Sequence, residues 1–324
     1  MKKSILRHLG AAMLALVGAH STFAADPFPT RPVRIIVNTA PGGLTDVVTR
    51  LVAQHMGDYL KQSVVVENRA GGDGLIGIRA VKTAPADGYT LLAAAGTIAQ
   101  QMAVRQDPGY DLLKDFTGIG IMGRSPFLMV VAPTQPDKTM ADFVARAKAN
   151  PGKLSYASAG VGTVPHFAAE RLLRQVDVKV MHVPYKGNAA AMPDVMSGRV
   201  DMILEAYGSS SAKIKAGQLR VLGVTSAARV AALPDVPTIA EQGVSNYSYY
   251  TWLCLVAPAG TPSDVVQRLS AALRSAVSSK EMKERFRNDG MEAMDLTGEQ
   301  FNQFLAREVA HNHKLVTELG VEKQ

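Results

Sequence analysis

The chain has one cysteine, Cys254, and one tryptophan, Trp252, among 324 residues. A lone cysteine excludes an intrachain disulfide. Its place in the apolar run Trp252-Leu253-Cys254-Leu255-Val256 marks it as a small buried hydrophobe. Histidine is sparse too: beyond His8 and His20 there are only His55, His166, His182, His311 and His313. The last two are close in sequence, but their spacing turns them to different faces of a helix and no carboxylate of metal-ligand spacing joins them. No metal and no other cofactor is therefore expected. Beyond the first two dozen residues nothing approaches the run of about 20 apolar residues that a bilayer span needs. No basic stripe interleaved with aromatics appears either, so no nucleic-acid partner is expected.

The N-terminus carries Lys2, Lys3 and Arg7, then an apolar stretch from Leu9 to Ala19, then Thr22-Phe23-Ala24 with small residues suited to a signal peptidase. This pattern predicts an export leader over residues 1–24, cleaved after Ala24. No cysteine lies near that point, so a lipid anchor is not expected. The leader takes three positive charges with it, which lowers the formal charge from +7 to +4 and leaves a mild preference for anionic ligands. A mature chain of about 300 residues exceeds one small domain, and its hydrophobic content of 47% can fill two cores.

The most informative stretch is Arg31 to Asp46, RPVRIIVNTAPGGLTD. Val33, Ile35, Ile36 and Val37 form a strand-like run, Pro41-Gly42-Gly43 can turn sharply, and Val47, Val48, Leu51, Val52 and Met56 recur at helical spacing. The helix is expected to begin near Thr45. A helix start offers unpaired N–H groups and a partial positive charge, and glycines let an anion reach the backbone without meeting a Cβ. Thr39, Ala40, Gly42, Gly43, Thr45 and Asp46 are thus candidate ligand residues, although an ordinary strand-to-helix turn has the same composition. Asp46 either stabilises the first helical turn or accepts from loop N–H groups or a water. About 115 residues later the arrangement recurs: residues 154–157 lead through Ser158-Ala159-Gly160-Val161-Gly162-Thr163 into a helix with Phe167, Leu172 and Leu173. Ser158, Gly160, Gly162, Thr163 and His166 form this second candidate cradle, with His166 expected to cap or donate at the helix start. Two cradles suggest two lobes facing one cleft.

The first lobe reads as a βαβαβ series with strands at 33–37, 64–67 and 90–95 and helices from Thr45 and at 75–83. Right-handed crossovers make such a sheet parallel and put its crevice at the carboxyl ends of the strands, which adds Gly96 and Thr97 to the candidate rim. A second series has strands at 154–157, 178–182, 200–204 and 219–225, with helices from Pro165 and at 189–196, and a strand at 253–257 leads back. Glu205 follows the 200–204 strand and faces either the cleft or solvent; it is retained as a candidate. The tail is helical. Thr261-Pro262 reads as a cap with proline at the first helical position, and Thr297-Gly298-Glu299-Gln300 as a capping box, both on helices packed against the first lobe. The expected α/β architecture is a leader (1–24), a discontinuous first lobe (25–126 and 254–324) and a second lobe (127–253), each a mainly parallel sheet flanked by helices.

Other chemistries fit less well. Gly72, Gly74 and Gly77 match G-x-G-x-x-G, but they follow the second strand after a spacer, and Asp87 precedes the third strand instead of ending it. Ser158 with His166 suggests a hydrolase, yet Tyr156 stands where a nucleophile elbow needs glycine. His182-Val183-Pro184-Tyr185-Lys186-Gly187 reads as a strand-end turn, with Tyr185 or Lys186 as lesser ligand candidates. Trp252 reads as packing. No enzyme is expected.

RPVRIIV, APGGLTDVVTR, VVVENRAGGDGLIG, DGYTLL, PGKLSYASAGVGTVPH, HVPYKG, LPDVPTIAEQG and VAPAGTP together resemble the substrate-binding receptors of tripartite tricarboxylate transporters, the Bug receptors. The likeness runs over nearly the whole mature chain. It implies a two-lobed periplasmic-binding-protein fold of type II, closing without chemistry on a small carboxylated solute. It also implies a periplasmic monomer that delivers this solute to membrane subunits of a transporter. A sensor of the same fold reporting to a membrane regulator is the runner-up, and a carboxylate-processing enzyme a distant third. The gripping loops correspond to Thr39–Asp46 and Ser158–His166, with Gly96-Thr97 on the rim. The chain departs from the family at Asn38-Thr39-Ala40, which lacks the usual aromatic, at Ile98–Arg105, which lacks the usual histidine and asparagine, and at Glu205-Ala206, where asparagine commonly follows the acid. A charged Glu205 in an anion site would require a donor, such as an ammonium or hydroxyl, at the ligand's far end.

Overall fold

The computed structural model describes residues 28–321 and residue 323; the expected leader lies outside the described residues. The first half of the chain contains β1 (Val33–Val37), α1 (Leu44–Leu60), β2 (Val64–Asn68), α2 (Leu75–Lys82), β3 (Thr90–Ala95), α3 (Thr97–Val104), β4 (Phe116–Val131) and α4 (Met140–Ala149). Then follow β5 (Ser155–Ser158), α5 (Val164–Gln175), β6 (Met181–Pro184), α6 (Asn188–Met196), β7 (Met202–Ala206), α7 (Tyr207–Lys215) and β8 (Arg220–Val224). The chain returns through β9 (Tyr250–Pro258) and ends in α8 (Ser263–Ser278), α9 (Lys280–Asn288) and α10 (Gly298–Leu319).

β1 pairs in parallel with β2 on one side and β3 on the other. Its burial does not alternate, because helices cover both faces as a parallel sheet requires. Val33, Ile35 and Val37 join one core with residues of α1 and α8, while Ile36 joins another with residues of α2, α3 and α10. The second group is built the same way around β5, which pairs in parallel with β6 and β7. β4 and β9 connect the two groups. β9 runs antiparallel to β3 and β4, and the last part of β4 runs antiparallel to both β7 and β8. The spatial order is β2-β1-β3-β9-β4-β7-β5-β6, with β8 also on β4. Cys254 is buried within β9. Among the described residues no helix is long and apolar enough to cross a membrane.

Several local expectations are corrected. The strand expected at 178–182 starts later, at Met181, because the Val178 N–H still closes α5 by donating to the Leu173 carbonyl. Thr261 does not cap α8: its hydroxyl donates to the Pro258 carbonyl at 2.8 Å, and Pro262 is the N-cap. The capping box at Thr297 does not form, since that hydroxyl accepts from Arg274 Nη2 at 2.5 Å. A true capping box stands instead at Thr139 and Asp142, ahead of α4. The tail also reaches beyond the first lobe. Phe301, Leu305 and Val309 of α10 pack with residues of β3 and α3, but Leu315, Val316 and Leu319 enter the core of Phe143, Tyr156 and Phe167. Arg174 of α5 secures that end by donating to the carbonyls of Glu318 and Leu319.

Within the glycine triplet at 72, 74 and 77, Gly74 and Gly77 have a packing explanation against Asn38. A Cβ on Gly77 would stand 2.9 Å from Asn38 Cα and 3.0 Å from the Arg69 carbonyl oxygen, so only glycine lets α2 press against the chain leaving β1. Gly77→Ala is expected to lower unfolding free energy by about 2 kcal/mol, the usual range for overpacking against backbone. Urea denaturation checks this, and a loss below about 0.5 kcal/mol would mean that the contact relaxes at little cost.

Candidate functional site

In the first cradle no side chain caps α1. Asp46, 3% exposed in its first turn, instead binds the loop. Its Oδ2 accepts from the Gly42 N–H at 2.9 Å, its Oδ1 from Asn68 Nδ2 at 2.9 Å, and Arg50 Nη2 lies 3.0 Å away. Burial pushes the Asp46 carboxyl up, but the Gly42 amide, Arg50 and Asn68 together outweigh it and hold the group below the usual carboxylate range. Of the two readings left open by sequence, the acceptor of a loop N–H is the one the geometry shows.

The Gly42 amide is therefore committed inside the protein, and its φ of +82° calls for glycine. Gly43 is extended, and a Cβ there would meet only the Ala40 carbonyl at 3.7 Å. The N–H groups of Gly43, Leu44 and Thr45 find no acceptor among the described residues. Thr45 is buried, and its carbonyl accepts from Thr49. Ala40 is exposed, while the Thr39 carbonyl accepts from Asn68 and the Thr39 hydroxyl is buried without a partner.

The second cradle is organised by histidines. Thr163 is the N-cap of α5 by position, but its hydroxyl donates to the Gly160 carbonyl at 2.7 Å. Ser158 Oγ accepts from the Gly160 N–H at 3.1 Å and lies 2.6 Å from His182 Nε2. The Gly162 N–H donates to His166 Nδ1 at 3.2 Å. Of the two expected roles, capping or donating, His166 takes the acceptor's, and the Gly162 amide is not free. The His166 and His182 rings stack with centroids 4.2 Å apart, and Tyr156 stacks on His182 while its hydroxyl donates to Glu170. Burial lowers both imidazoles to about 4, with His166 adding to the effect on His182, so both are neutral at neutral pH. Sequence reading placed His182 in a strand-end turn and missed this contact. The parallel register of β5 and β6, which sets Tyr156 beside His182, is what creates it. Tyr185 is architectural, its hydroxyl donating to Asp194.

Most of the unpartnered polar groups lie near strand ends. The buried side-chain atoms without a hydrogen-bond partner among the described residues are Asn38 Oδ1, Thr39 Oγ1, Gln100 Oε1, Gln101 Oε1, Asn188 Oδ1, Glu205 Oε2 and Ser226 Oγ. Asn38, Thr39, Asn188, Glu205 and Ser226 stand at or shortly beyond the carboxyl end of a parallel strand or of β8, where open α/β sheets hold ligands, while Gln100 and Gln101 lie within α3. The rims approach each other: a Cβ on Gly162 would lie 3.1 Å from Val104 of α3, and one on Gly208 of α7 would lie 3.7 Å from Leu44 of α1.

Gly96 takes a different role from the expected one. Its N–H donates to the Trp252 carbonyl, a Cβ on it would lie 3.1 Å from the Trp252 indole nitrogen, and it lines a cavity of about 180 Å³ bounded also by Gln100, Arg171, Tyr249 and Asn312. No other cradle candidate lines that cavity. Thr97 opens α3. Trp252 is buried and donates to Glu308, as a packing residue does.

The sequence profile of tripartite tricarboxylate transporter family receptors matches residues 48–321. A protein encoded between tcbD and tcbE in Pseudomonas sp. strain P51 is 35% identical over 311 residues, covering 95% of this chain and 92% of that protein. BugT of Bordetella pertussis is 32% identical, covering 95% of each. Among solved structures, the periplasmic binding protein BugD superposes with a TM-score of 0.84 at 32% identity over 92% of this chain and all of BugD. Rpa4515 of R. palustris, solved with adipate, gives 0.85 at 32% identity over 90% of this chain and 98% of its own. MatC of Rhodopseudomonas palustris, solved with malate, gives 0.80 at 27% identity over 89% of this chain and all of its own.

The stacked histidines make stability depend on pH. Their folded values near 4 lie below the ordinary 6.5, so the unfolded chain takes up protons first as pH falls. Their contribution is fully present above about pH 6.5 and is lost progressively towards pH 4. Melting temperature should fall across that window, and the double variant His166→Gln, His182→Gln should flatten the slope. An unchanged slope in the double variant would show that other groups carry it.

Proposed function

The chain belongs to the tripartite tricarboxylate transporter receptor family, whose members are periplasmic solute-binding proteins, and from that premise we propose that it captures a small carboxylate between two lobes and passes it to the membrane subunits of a transporter. The observation that carries this reading is the pair of cradles. The starts of α1 and α5 stand on two sheet rims that approach each other, and on the α1 side three consecutive amides have no acceptor among the described residues. A carboxylate oxygen between helix starts receives N–H bonds and meets favourable dipole ends, with no residue changing charge. Binding suffices for this role. Adipate and malate in the related structures support a carboxylate as the solute class.

Closure follows from the same arrangement. Lobe I, residues 25–126 and 254–324, and lobe II, residues 127–253, move about the segments of β4 and β9 that join them, with the last turns of α10, which pack in the lobe II core, following lobe II, and the ligand stabilises the closed form by touching both. Export by the expected leader would bring the protein to the periplasm, where a single buried thiol and no disulfide suffice.

A thermal-shift screen over mono-, di- and tricarboxylates tests the class, since a ligand at 100 times its dissociation constant adds roughly 2.7 kcal/mol. Gly43→Val tests the cradle. An added side chain at Gly43 meets no close neighbour, so the variant should fold normally, yet it would fill the approach to the α1 amides. Calorimetry on the best ligand of the screen should show affinity lower by about tenfold or more, 1.4 kcal/mol. Unchanged affinity in the folded variant would remove the first cradle from the site. Gly162 serves this purpose less well, because its φ of +74° and its closeness to Val104 would strain the fold as well.

A further inference from the structure

The cavity of about 180 Å³ beside Gly96 takes its walls from the elements that join the two groups of strands: Gln100 of α3, Arg171 of α5, Tyr250 and Trp252 of β9, and Phe304 and Glu308 of α10. An apolar cavity of about 150 Å³ holds benzene, so this one has room for a small organic molecule. Of the cradle candidates only Gly96 lines it. Arg171 stands on α5, whose Phe167 and Leu172 lie in the core of Phe143 and Tyr156. Glu308 stands one residue before Val309, which packs with Leu92 of β3 and Ile98 of α3. A molecule touching both side chains therefore spans the joint between the two strand groups.

Four lining residues bear on the charge of the cavity. Arg124 is neutralised by Glu292 at 2.5 Å and lies over the Tyr250 ring. His311 is exposed on α10. Arg171 and Glu308 remain. The Arg171 guanidinium has only two long hydrogen bonds, each 3.4 Å, to the carbonyls of Ser248 and Asn246. Glu308 accepts from the Trp252 indole N–H at 2.7 Å through Oε2, and its Oε1 has no partner among the described residues. Neither residue makes an ion pair among the described residues. Both nevertheless act on the Tyr249 hydroxyl, which burial raises, Arg171 lowers and Glu308 raises further. The wall also holds an unused acceptor: Gln100, 3% exposed, gives its Nε2 to the Tyr249 hydroxyl at 3.2 Å and leaves Oε1 unpartnered. A cation and an anion thus line one cavity without meeting.

We infer that this cavity is a second ligand site, taking a small zwitterionic aminocarboxylate whose carboxylate binds Arg171 and whose ammonium binds Glu308 Oε1. Both contacts are charge-assisted hydrogen bonds, and the ligand adds no net charge to the cavity. Selectivity comes from the pairing. A plain carboxylate brings its charge against Glu308, and a plain amine brings its own against Arg171, whereas the zwitterion satisfies both. The stem between the two charges lies against the aromatic faces of Trp252 and Phe304. The inference stands independently of the carboxylate cleft.

The test is calorimetry on protein whose cleft is first saturated with the tightest carboxylate of the screen. Glycine, β-alanine and γ-aminobutyrate set the spacing between charges, each compared with its acid (acetate, propionate, butyrate) and its amine (methylamine, ethylamine, propylamine). At least one aminocarboxylate should still bind, about tenfold or more tighter than its acid and its amine, the usual value of a hydrogen bond to a charged group. Arg171→Met keeps the stem over the Tyr247 and Tyr249 rings and removes the charge, and Glu308→Gln keeps an acceptor for the indole; each should lower that affinity about tenfold or more. The two variants report separately, so one that fails to fold leaves the other to decide. Where the screen yields no carboxylate, Gly43→Val replaces saturation, and the aminocarboxylate should bind it as tightly as the parent protein. The inference is wrong if no aminocarboxylate binds once the cleft is filled, if Gly43→Val abolishes the binding, or if folded Arg171→Met and Glu308→Gln proteins bind unchanged.

Discussion

Everything the site can do depends on one strand belonging to two sheets. The sixteen residues of β4 pair first with β9 and then with β7 and β8, and irregularities of register near Gly118, Ile121 and Met129 let the strand twist from one partner set to the next. Because β4 is antiparallel to its neighbours in both groups, the parallel strands on either side present carboxyl ends towards a shared crevice. The loop after β5 then comes against α3, and α7 comes against the start of α1, so the two rims approach at Gly162 and Val104 and at Gly208 and Leu44. A shift of one residue in the β4 to β7 pairing would turn Glu205 from its present face to the other. The ligand rim is thus set by backbone register before any binding side chain is considered.

The distribution of unpartnered polar atoms follows from that arrangement. Buried polar groups in folded proteins are nearly always hydrogen-bonded, because each one left alone costs about 1–3 kcal/mol. Among the described residues most of the exceptions lie on segments that leave strand ends, with Gln100 and Gln101 on the helix that follows β3. Elsewhere the protein satisfies demanding groups fully. Arg146 donates to both Asp137 and Asp201, and Arg220 donates to the carbonyls of Pro133, Gln135 and Asp137.

Much of the fold was legible because period and punctuation agree. β1 and β3 fall on the expected residues, and the start of α1 is displaced by one, because β-branched runs bounded by glycine and proline leave little freedom. α7 could not be read. Tyr207-Gly208-Ser209-Ser210-Ser211 has poor helix propensity, and Ser209 and Ser210 bond back to the Ala206 carbonyl, which does not favour a helix; what supports it is Tyr207, packed into the core around Leu128 and Val224. The cradles were legible as glycine turns, but which amides are free was not. Asp46 and His166 each take one N–H from the loop they stand beside, and sequence spacing alone cannot distinguish an amide held by the protein from one open to a ligand. The Ser158 to His182 contact needed the strand register and has no local signature.

Two carboxyl groups on the rims of an anion site pose the same electrostatic problem, and the protein solves it in opposite ways. Two unit charges about 4 Å apart at an effective dielectric near 20 repel by roughly 4 kcal/mol, too much for a receptor to leave uncompensated. Asp46 is ionised but surrounded: Arg50, Asn68 and the Gly42 amide take up its charge, and the carboxylate becomes a clasp that holds the first loop in shape. Glu205 is buried, accepts from the Ser209 hydroxyl and makes no ion pair among the described residues, and burial outweighs Ser209, Asn188, the Ala206 amide and Lys213 to raise it above the ordinary carboxyl range. The first solution stiffens the loop ahead of α1, and the second makes the charged form of the acid costly.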